Sequence, residues 1–425
     1  MRRTLSLGLL AAANIGLGFV SQWYVLTHLG AGSETDALFA GMTLPQLILS
    51  VISGSLVSVL VPLLAGENKQ QLHHDAWAML VLVGATFTAI ALVLFATASW
   101  WTPLLVPGFS PAAQALTTEL TRIQLVGMVF AAINGVQLAA YHARHRFVWP
   151  EIGLALSSLA GFAAIVWLLP RFGVAAVAWI TVGRMALQTA VLLPGMGRPV
   201  RPDLHAPAIR LAWQRVKPLL VGTTYYKTDP LVDRFLLSTA ASGSLSLYYL
   251  AQQLYAAANE VMDKAIASPL VPRLSTLHKR GQRQEFRRAY HQHLLLVCAL
   301  SLGGLLVLGV VGRPLLDLVF GWRNITASDV ETLWWILLWL GGVFVGGIGG
   351  QISAGTFYAL GDTRTPTRLG VITYTFYIPA KIAAFFAYGV MGLALMTSLF
   401  SLVNLVLQMV LLQRIPVDEP EPYPS

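Results

Sequence analysis

Lys227, Asp229, Asp233 and Arg234 stand within eight positions of one another in a stretch, 216–238, whose other residues are largely apolar. On a helix Lys227 and Arg234, seven apart, share one face, while Asp229 and Asp233, four apart, share an adjoining one. The next apolar stretch, 245–272, carries Gln253, Glu260 and Lys264 on a single stripe at +7 and +4, with small Ala256 and Ala257 between the polar turns. A third has a neutral stripe, Thr43, Gln46 and Ser50, with Asp36 just ahead of it. Donors and charges of both signs on helix faces hold a polar head or pass an ion. They do not assemble a nucleophile with its base. No phosphate-binding glycine loop, nucleophile elbow or metalloprotease helix motif occurs, so an enzyme is not expected, and no cofactor is implied. With no nucleotide site, pumping must draw on an ion gradient or the membrane potential, through a coupling cation of unspecified identity. A structural use stands beside this one: Glu260 and Lys264 have the spacing of a helical ion pair, and Asp233 and Arg234 lie near a span end.

The elements that must position these groups are membrane spans. Of 425 residues, 56% are hydrophobic and 11% charged, against about 25% charged in a soluble domain. The apolar residues come in blocks of roughly 20, the length that crosses a bilayer. Twelve spans are expected: 4–28, 37–65, 76–98, 119–142, 151–169, 173–194, 216–238, 245–272, 292–312, 331–358, 367–387 and 390–413. In hydrocarbon a mid-helix charge costs at least ~2.5–3.5 kcal/mol, so those retained in spans seven and eight mark a pathway or a partner. A water-filled cavity lined by spans one, two, seven and eight accounts for them together.

The net charge of +9 is a matter of topology and not a nucleic-acid site. With the N-terminus in the cytoplasm, nineteen of the 28 lysines and arginines fall on cytoplasmic segments, six lie inside spans, and only Arg171, Arg313 and Arg323 lie on the opposite side. This is the positive-inside bias, and it places both termini in the cytoplasm of a multi-pass bacterial inner-membrane protein. Cys298, the single cysteine, sits mid-span and forms no internal disulfide.

The halves repeat. Gly32-Ser33 and Val61-Pro62 recur as Gly243-Ser244 and Val271-Pro272; Tyr141 recurs as Tyr358; Gly173-Val174, Ala178 and Thr181 recur as Gly389-Val390, Ala394 and Thr397. Six helices per half preserve orientation, so the repeat is parallel about the membrane normal. The expected fold is all-α integral membrane, about 12 transmembrane helices in two pseudo-symmetric six-helix lobes around a central cavity. The N-terminal lobe spans 1–196, a cytoplasmic linker with an interfacial helix spans 197–215, the C-terminal lobe spans 216–415, and 416–425 is a disordered tail. Gly341–Gly347 is read as a surface for close helix packing.

Gly18-Phe19, Leu29-Gly30-Ala31-Gly32, Thr35-Asp36-Ala37 with Phe39, and Leu44-Pro45 resemble the first two helices of the MurJ/MviN lipid II flippase family. So does Ala241-Ser242-Gly243-Ser244 with Tyr248-Tyr249, and the run from Phe357 to Pro366 is similar to that family's signature between helices ten and eleven. The resemblance covers nearly the whole chain. It implies the fold of the multidrug/oligosaccharidyl-lipid/polysaccharide transporter superfamily, and a monomer that flips a lipid-linked glycan precursor among membrane lipids by alternating access. An ion-coupled antiporter of small amphipathic compounds and a non-transporting scaffold are the alternatives. The family's cavity arginines correspond here to Ile15, Ser21, Leu49 and Gln253, and its two further helices have no counterpart among the twelve spans. The expected substrate-facing set is therefore Asp36, Gln46, Ser50, Lys227, Asp229, Asp233, Arg234, Gln253, Glu260 and Lys264. With Asp263 beside them, five acids face three bases, which disfavours a diphosphate and suits a neutral or cationic head.

Overall fold

The computed structural model describes residues 2–64, 69–203, 209–212 and 224–414. Their regular structure is helical: α1 (Arg2–Leu29), α2 (Ser33–Leu64), α3 (Lys69–Leu105), α4 (Pro111–Ala143), α5 (Val148–Met196), α6 (Asp229–Ser238), α7 (Ser244–Met262), a π-helical turn (Asp263–Ala267), α8 (Ser268–Lys279), α9 (Arg283–Phe320), α10 (Ala327–Trp339), α11 (Gly341–Ala359) and α12 (Arg364–Arg414). A helix satisfies its backbone groups within one segment, which hydrocarbon requires. Among the described residues, α4, α5, α9 and α12, together with Gln70–Leu105 and Ala327–Ala359, are long and apolar enough to cross a membrane.

α5 and α12 are each two spans joined at one glycine. Gly173 has φ 64° and ψ −156°, and Gly389 has φ 61° and ψ −143°, a region essentially confined to glycine. In α5 the Trp149 indole donates to the Val191 carbonyl at 3.3 Å, Gly153 lies against Leu192, and Gly161 lies against Arg184. These pairs converge on Gly173, so the arms run antiparallel. In α12, Thr373 donates to Asn404 at 3.0 Å and the Tyr377 and Phe400 rings stack at 4.4 Å, converging on Gly389. The sequence repeat at these glycines is thus one backbone conformation used twice. Gly32-Ser33 and Gly243-Ser244 likewise lead into helices, α2 and α7. Tyr141 and Tyr358 are not equivalent: Tyr141 is buried and donates to the Leu192 carbonyl at 3.1 Å, whereas Tyr358 is exposed.

Two compact units divide the chain, Met1–Ser246 and Leu247–Ser425. In the first, α4 packs against α2, α3 and α5. Small residues allow the approach: a side chain at Gly41 would meet Thr121 at 3.1 Å, and one at Gly127 would meet Val182 and Met185 at 3.4 Å. A polar ladder then ties α4 to the second arm of α5. Thr189 donates to Asn134 at 2.9 Å, Asn134 to the Met185 carbonyl at 3.2 Å, and Gln137 to the Thr189 carbonyl at 3.1 Å. An apolar cluster of Leu60, Met79, Phe87, Leu125 and Val136 fills the adjoining space, and Ile209 and Ala212 pack on it. These two belong to the helical turn 209–212, which lies within the stretch read as an interfacial helix. Residues 204–208 and 213–223 and the expected tail, 416–425, lie outside the described residues.

In the second unit, Leu270, Phe286, Tyr290, Leu294, Ile348 and Leu405 build the core. The tenth span breaks at Leu340, between α10 and α11, and Ser398 of α12 plugs the break. Its hydroxyl donates to the Trp339 carbonyl and accepts from the Gly342 N–H at 3.1 Å. Gly342 and Gly346 lie directly against the backbone at Ser398 and Ser401, the close packing expected of the glycine run. The eighth span, expected as one helix, is α7 and α8 joined by the π turn, in which the Ser268 N–H reaches the Asp263 carbonyl.

Candidate functional site

In the first unit the charged residues lie at two depths. Asp36, on the first turn of α2, is 2% exposed. Its carboxylate accepts from the Gly243 N–H at 2.7 Å, the Ser246 N–H at 2.8 Å and the Ser246 hydroxyl. Those N–H groups belong to the start of α7, where a helix leaves donors without intrahelical partners. Gly243, at φ 89°, has its Cα packed on the Ala31 backbone, which leaves no room for a side chain. Asp36 therefore caps the start of α7 from another helix and is buried. Arg234, also buried, donates from Nε to the Thr43 hydroxyl at 3.1 Å, and its charge acts favourably on Asp36. Asp233, beside it on α6, is 1% exposed. α6 packs on α2, and both residues are buried.

Nearer the surface, Lys227 donates from Nζ to the Ser50 carbonyl at 2.5 Å. The Ser50 hydroxyl donates to the Leu47 carbonyl at 2.9 Å, and Gln46, one turn before, is exposed. Asp229, partly buried, opens α6. Gln46 and Ser50 are thus accessible and Lys227 partly so, whereas Asp36, Thr43 and Arg234 are buried.

In the second unit, Lys264 and Glu260 pair at 2.7 Å with both side chains about half exposed (51% and 50%). Lys264 and Asp263 lie in the π turn, where Asp263 accepts from the Ser268 hydroxyl at 3.0 Å. Gln253 is partly buried on α7, two turns before Glu260. A further polar centre was not among the expected set. Lys381, on the first arm of α12, is fully buried with Nζ 4.9 Å from the Tyr377 ring centroid. The Tyr377 and Tyr248 hydroxyls lie 3.0 and 3.1 Å from the Thr397 hydroxyl, which itself donates to the Leu393 carbonyl at 2.9 Å. The available signal was the recurrence of Thr181 as Thr397 in the internal repeat.

The sequence count of five acids against three bases changes on this geometry. Asp36 is consumed as a helix cap, and Glu260 neutralises Lys264. Charge that is already paired neither attracts nor repels a substrate in proportion to its count.

Comparison with known proteins follows the same lines. The family model described as lipid II flippase MurJ matches residues 25–420. A lipid II flippase MurJ of Burkholderia cenocepacia is 25% identical over 374 residues, 83% of this chain and 72% of that protein. A probable lipid II flippase MurJ of Vibrio cholerae is 24% identical over 436 residues, 92% and 78% of the two. Among solved structures, a lipid II flippase MurJ in an inward closed conformation superposes with a TM-score of 0.84 at 16% identity, over 97% of this chain and 88% of that one. An inward-facing multidrug resistance MATE family transporter of the MOP superfamily gives 0.76 at 13%, over 93% and 92%. These two likenesses bear on the fold alone, which is all-α. On the family match, which runs through both units, the chain belongs to the lipid II flippase MurJ family.

Proposed function

We propose that this protein flips a lipid-linked saccharide precursor of the cell envelope across the inner membrane by alternating access. The observation that carries the reading is the family match through residues 25–420. The membrane-depth polar groups support it. Gln46, Ser50 and Lys227, with Asp229, are the contacts the first unit offers to a substrate, on helices held by Asp36, Asp233 and Arg234. Gln253, Glu260 and Lys264 are the polar set of the second unit. It acts as a monomer with both termini cytoplasmic and no nucleic-acid partner, and the lobes divide at a cytoplasmic linker, 197–215. Ile15, Ser21 and Leu49 in the first two spans and Gln253 in the eighth, where the resemblance implies arginines, are neutral, so the head differs from that of lipid II.

Proteoliposomes loaded with fluorescent polyprenyl-diphosphate saccharides of varied headgroup provide the test, read by access of an external quencher. Translocation of at least one saccharide is expected, and movement of none of them would overturn the function. In cells depleted of their own lipid II flippase, expression at verified levels should not restore growth. Restored growth with lipid II translocation would return the substrate to lipid II itself.

A further inference from the structure

We infer that Arg184, at the centre of the second arm of α5, is the phosphate-binding residue of the first unit, taking the lipid-borne phosphate of the substrate. The inference rests on the reading of that substrate as a polyprenyl-linked saccharide. Arg184 lies eleven residues beyond Gly173 and twelve before Met196, so ~16–18 Å of helix separates it from either end. That is farther than an arginine side chain can reach to bring its charge to a membrane surface. Gly161 on the facing arm makes room for it: a Cβ there would sit 3.1 Å from the Arg184 Cδ. The side chain is accommodated, and it remains partly accessible.

Among the basic residues inside the spans of this unit, what distinguishes it is the lack of a partner. The other three are met within the unit: Arg234 by Thr43, Lys227 by the Ser50 carbonyl, and Arg122 by Ser99 at 2.9 Å. No hydrogen bond or ion pair joins Arg184 to another described residue. A cation held at membrane depth without a counter-charge is costly and marks a ligand site. Gln188, one turn on and partly buried, adds an amide on the same face, also without a hydrogen bond among the described residues. A planar guanidinium fork beside an amide suits the oxygens of a phosphate, which it can hold bidentately. The phosphate that a membrane delivers to this depth is one attached to a lipid.

The test uses the purified chain in zwitterionic phosphatidylcholine nanodiscs, titrated with a short-chain polyprenyl diphosphate, with the matching uncharged polyprenol, and with inorganic diphosphate. Wild type should bind the polyprenyl diphosphate at least tenfold more tightly than the polyprenol or the free ion. Arg184→Gln should erase that preference, and Arg184→Lys should retain part of it. In wild type, phenylglyoxal modification of Arg184, mapped by mass spectrometry, should be suppressed by the polyprenyl diphosphate and not by the polyprenol. This readout requires no variant to fold. Unchanged affinity in folded Arg184→Gln, or modification that the ligand does not suppress, overturns the site. Equal competition by phosphatidylglycerol overturns the assignment to the substrate in favour of any anionic lipid. Wild type that binds none of the diphosphate lipids, and flips none, defeats the functional reading as well as this site.

Discussion

Asp36 joins the first turn of α2 to the start of α7 through three donors in a buried setting. Asp36→Ala leaves two N–H groups and a hydroxyl without an acceptor, a loss of about 1–3 kcal/mol for buried groups. The thermal unfolding midpoint of the purified protein should fall accordingly, with a smaller fall for Asp36→Asn, which keeps one acceptor oxygen. Lost substrate binding at an unchanged midpoint would instead make Asp36 a ligand contact. Asp362, in the loop before α12, makes a related cap in water. Burial alone would raise its carboxyl, but hydrogen bonds from Thr365 and from the Arg364 backbone, with the Arg368 charge nearby, outweigh burial and hold it below the usual carboxylate range. A depressed carboxylate stabilises the fold above its unfolded pKa and loses that contribution as the pH falls through the folded value. The gap in unfolding midpoint between wild type and Asp362→Ala should therefore be present at neutral pH and shrink on acidification below about pH 4. A gap that is constant with pH would mean that the carboxylate charge does not contribute.

The helical hairpins α5 and α12 turn on single glycines in a conformation other residues avoid. Gly173→Ala and Gly389→Ala should each cost ~1–3 kcal/mol, seen as a lower unfolding midpoint in detergent. Neither site is crowded, so the cost is one of backbone angle and not of contact. Gly183→Ala and Gly350→Ala, at helical positions with open space around them, serve as controls and should leave stability unchanged or raise it by up to ~1 kcal/mol. Equal effects at all four sites would show that the turns do not depend on glycine. Gly346 differs again: a methyl there would meet the Ser401 backbone at 2.5 Å. Gly346→Ala should force α11 away from the second arm of α12 and destabilise more than Gly350→Ala.

Across the whole chain, the distribution of Lys and Arg predicts both termini in the cytoplasm. Ser110, which caps α4, and Gln282, ahead of α9, then lie on opposite sides of the membrane. In a Cys298→Ala background, Ser110→Cys should react with an impermeant thiol reagent added to intact cells, and Gln282→Cys should react only after lysis. Labelling of Gln282→Cys from outside would reverse the orientation.

Fold class was legible before any coordinates, because hydrocarbon imposes one requirement at every position: twenty or so apolar residues must form a helix that satisfies its own backbone. The internal repeat was legible at Gly173 and Gly389 for a similarly local reason, since a backbone angle open only to glycine leaves its mark as glycine. Charge pairing was not legible in the same way. The spacing of Glu260 and Lys264 suffices for their ion pair because both lie on one stretch of helix. Asp36, by contrast, is separated by 207 residues from the Gly243 N–H that it caps. Arg234 and Thr43 lie 191 apart, and Lys227 and Ser50 lie 177 apart. Arg184 is the converse case, one basic residue in a span from sequence and a cation without a partner once its neighbours are known. Helical periodicity reports which side of a helix a residue occupies. What stands opposite it depends on how helices distant in sequence pack, and that packing decides which charges are already neutralised and which remain to meet a substrate.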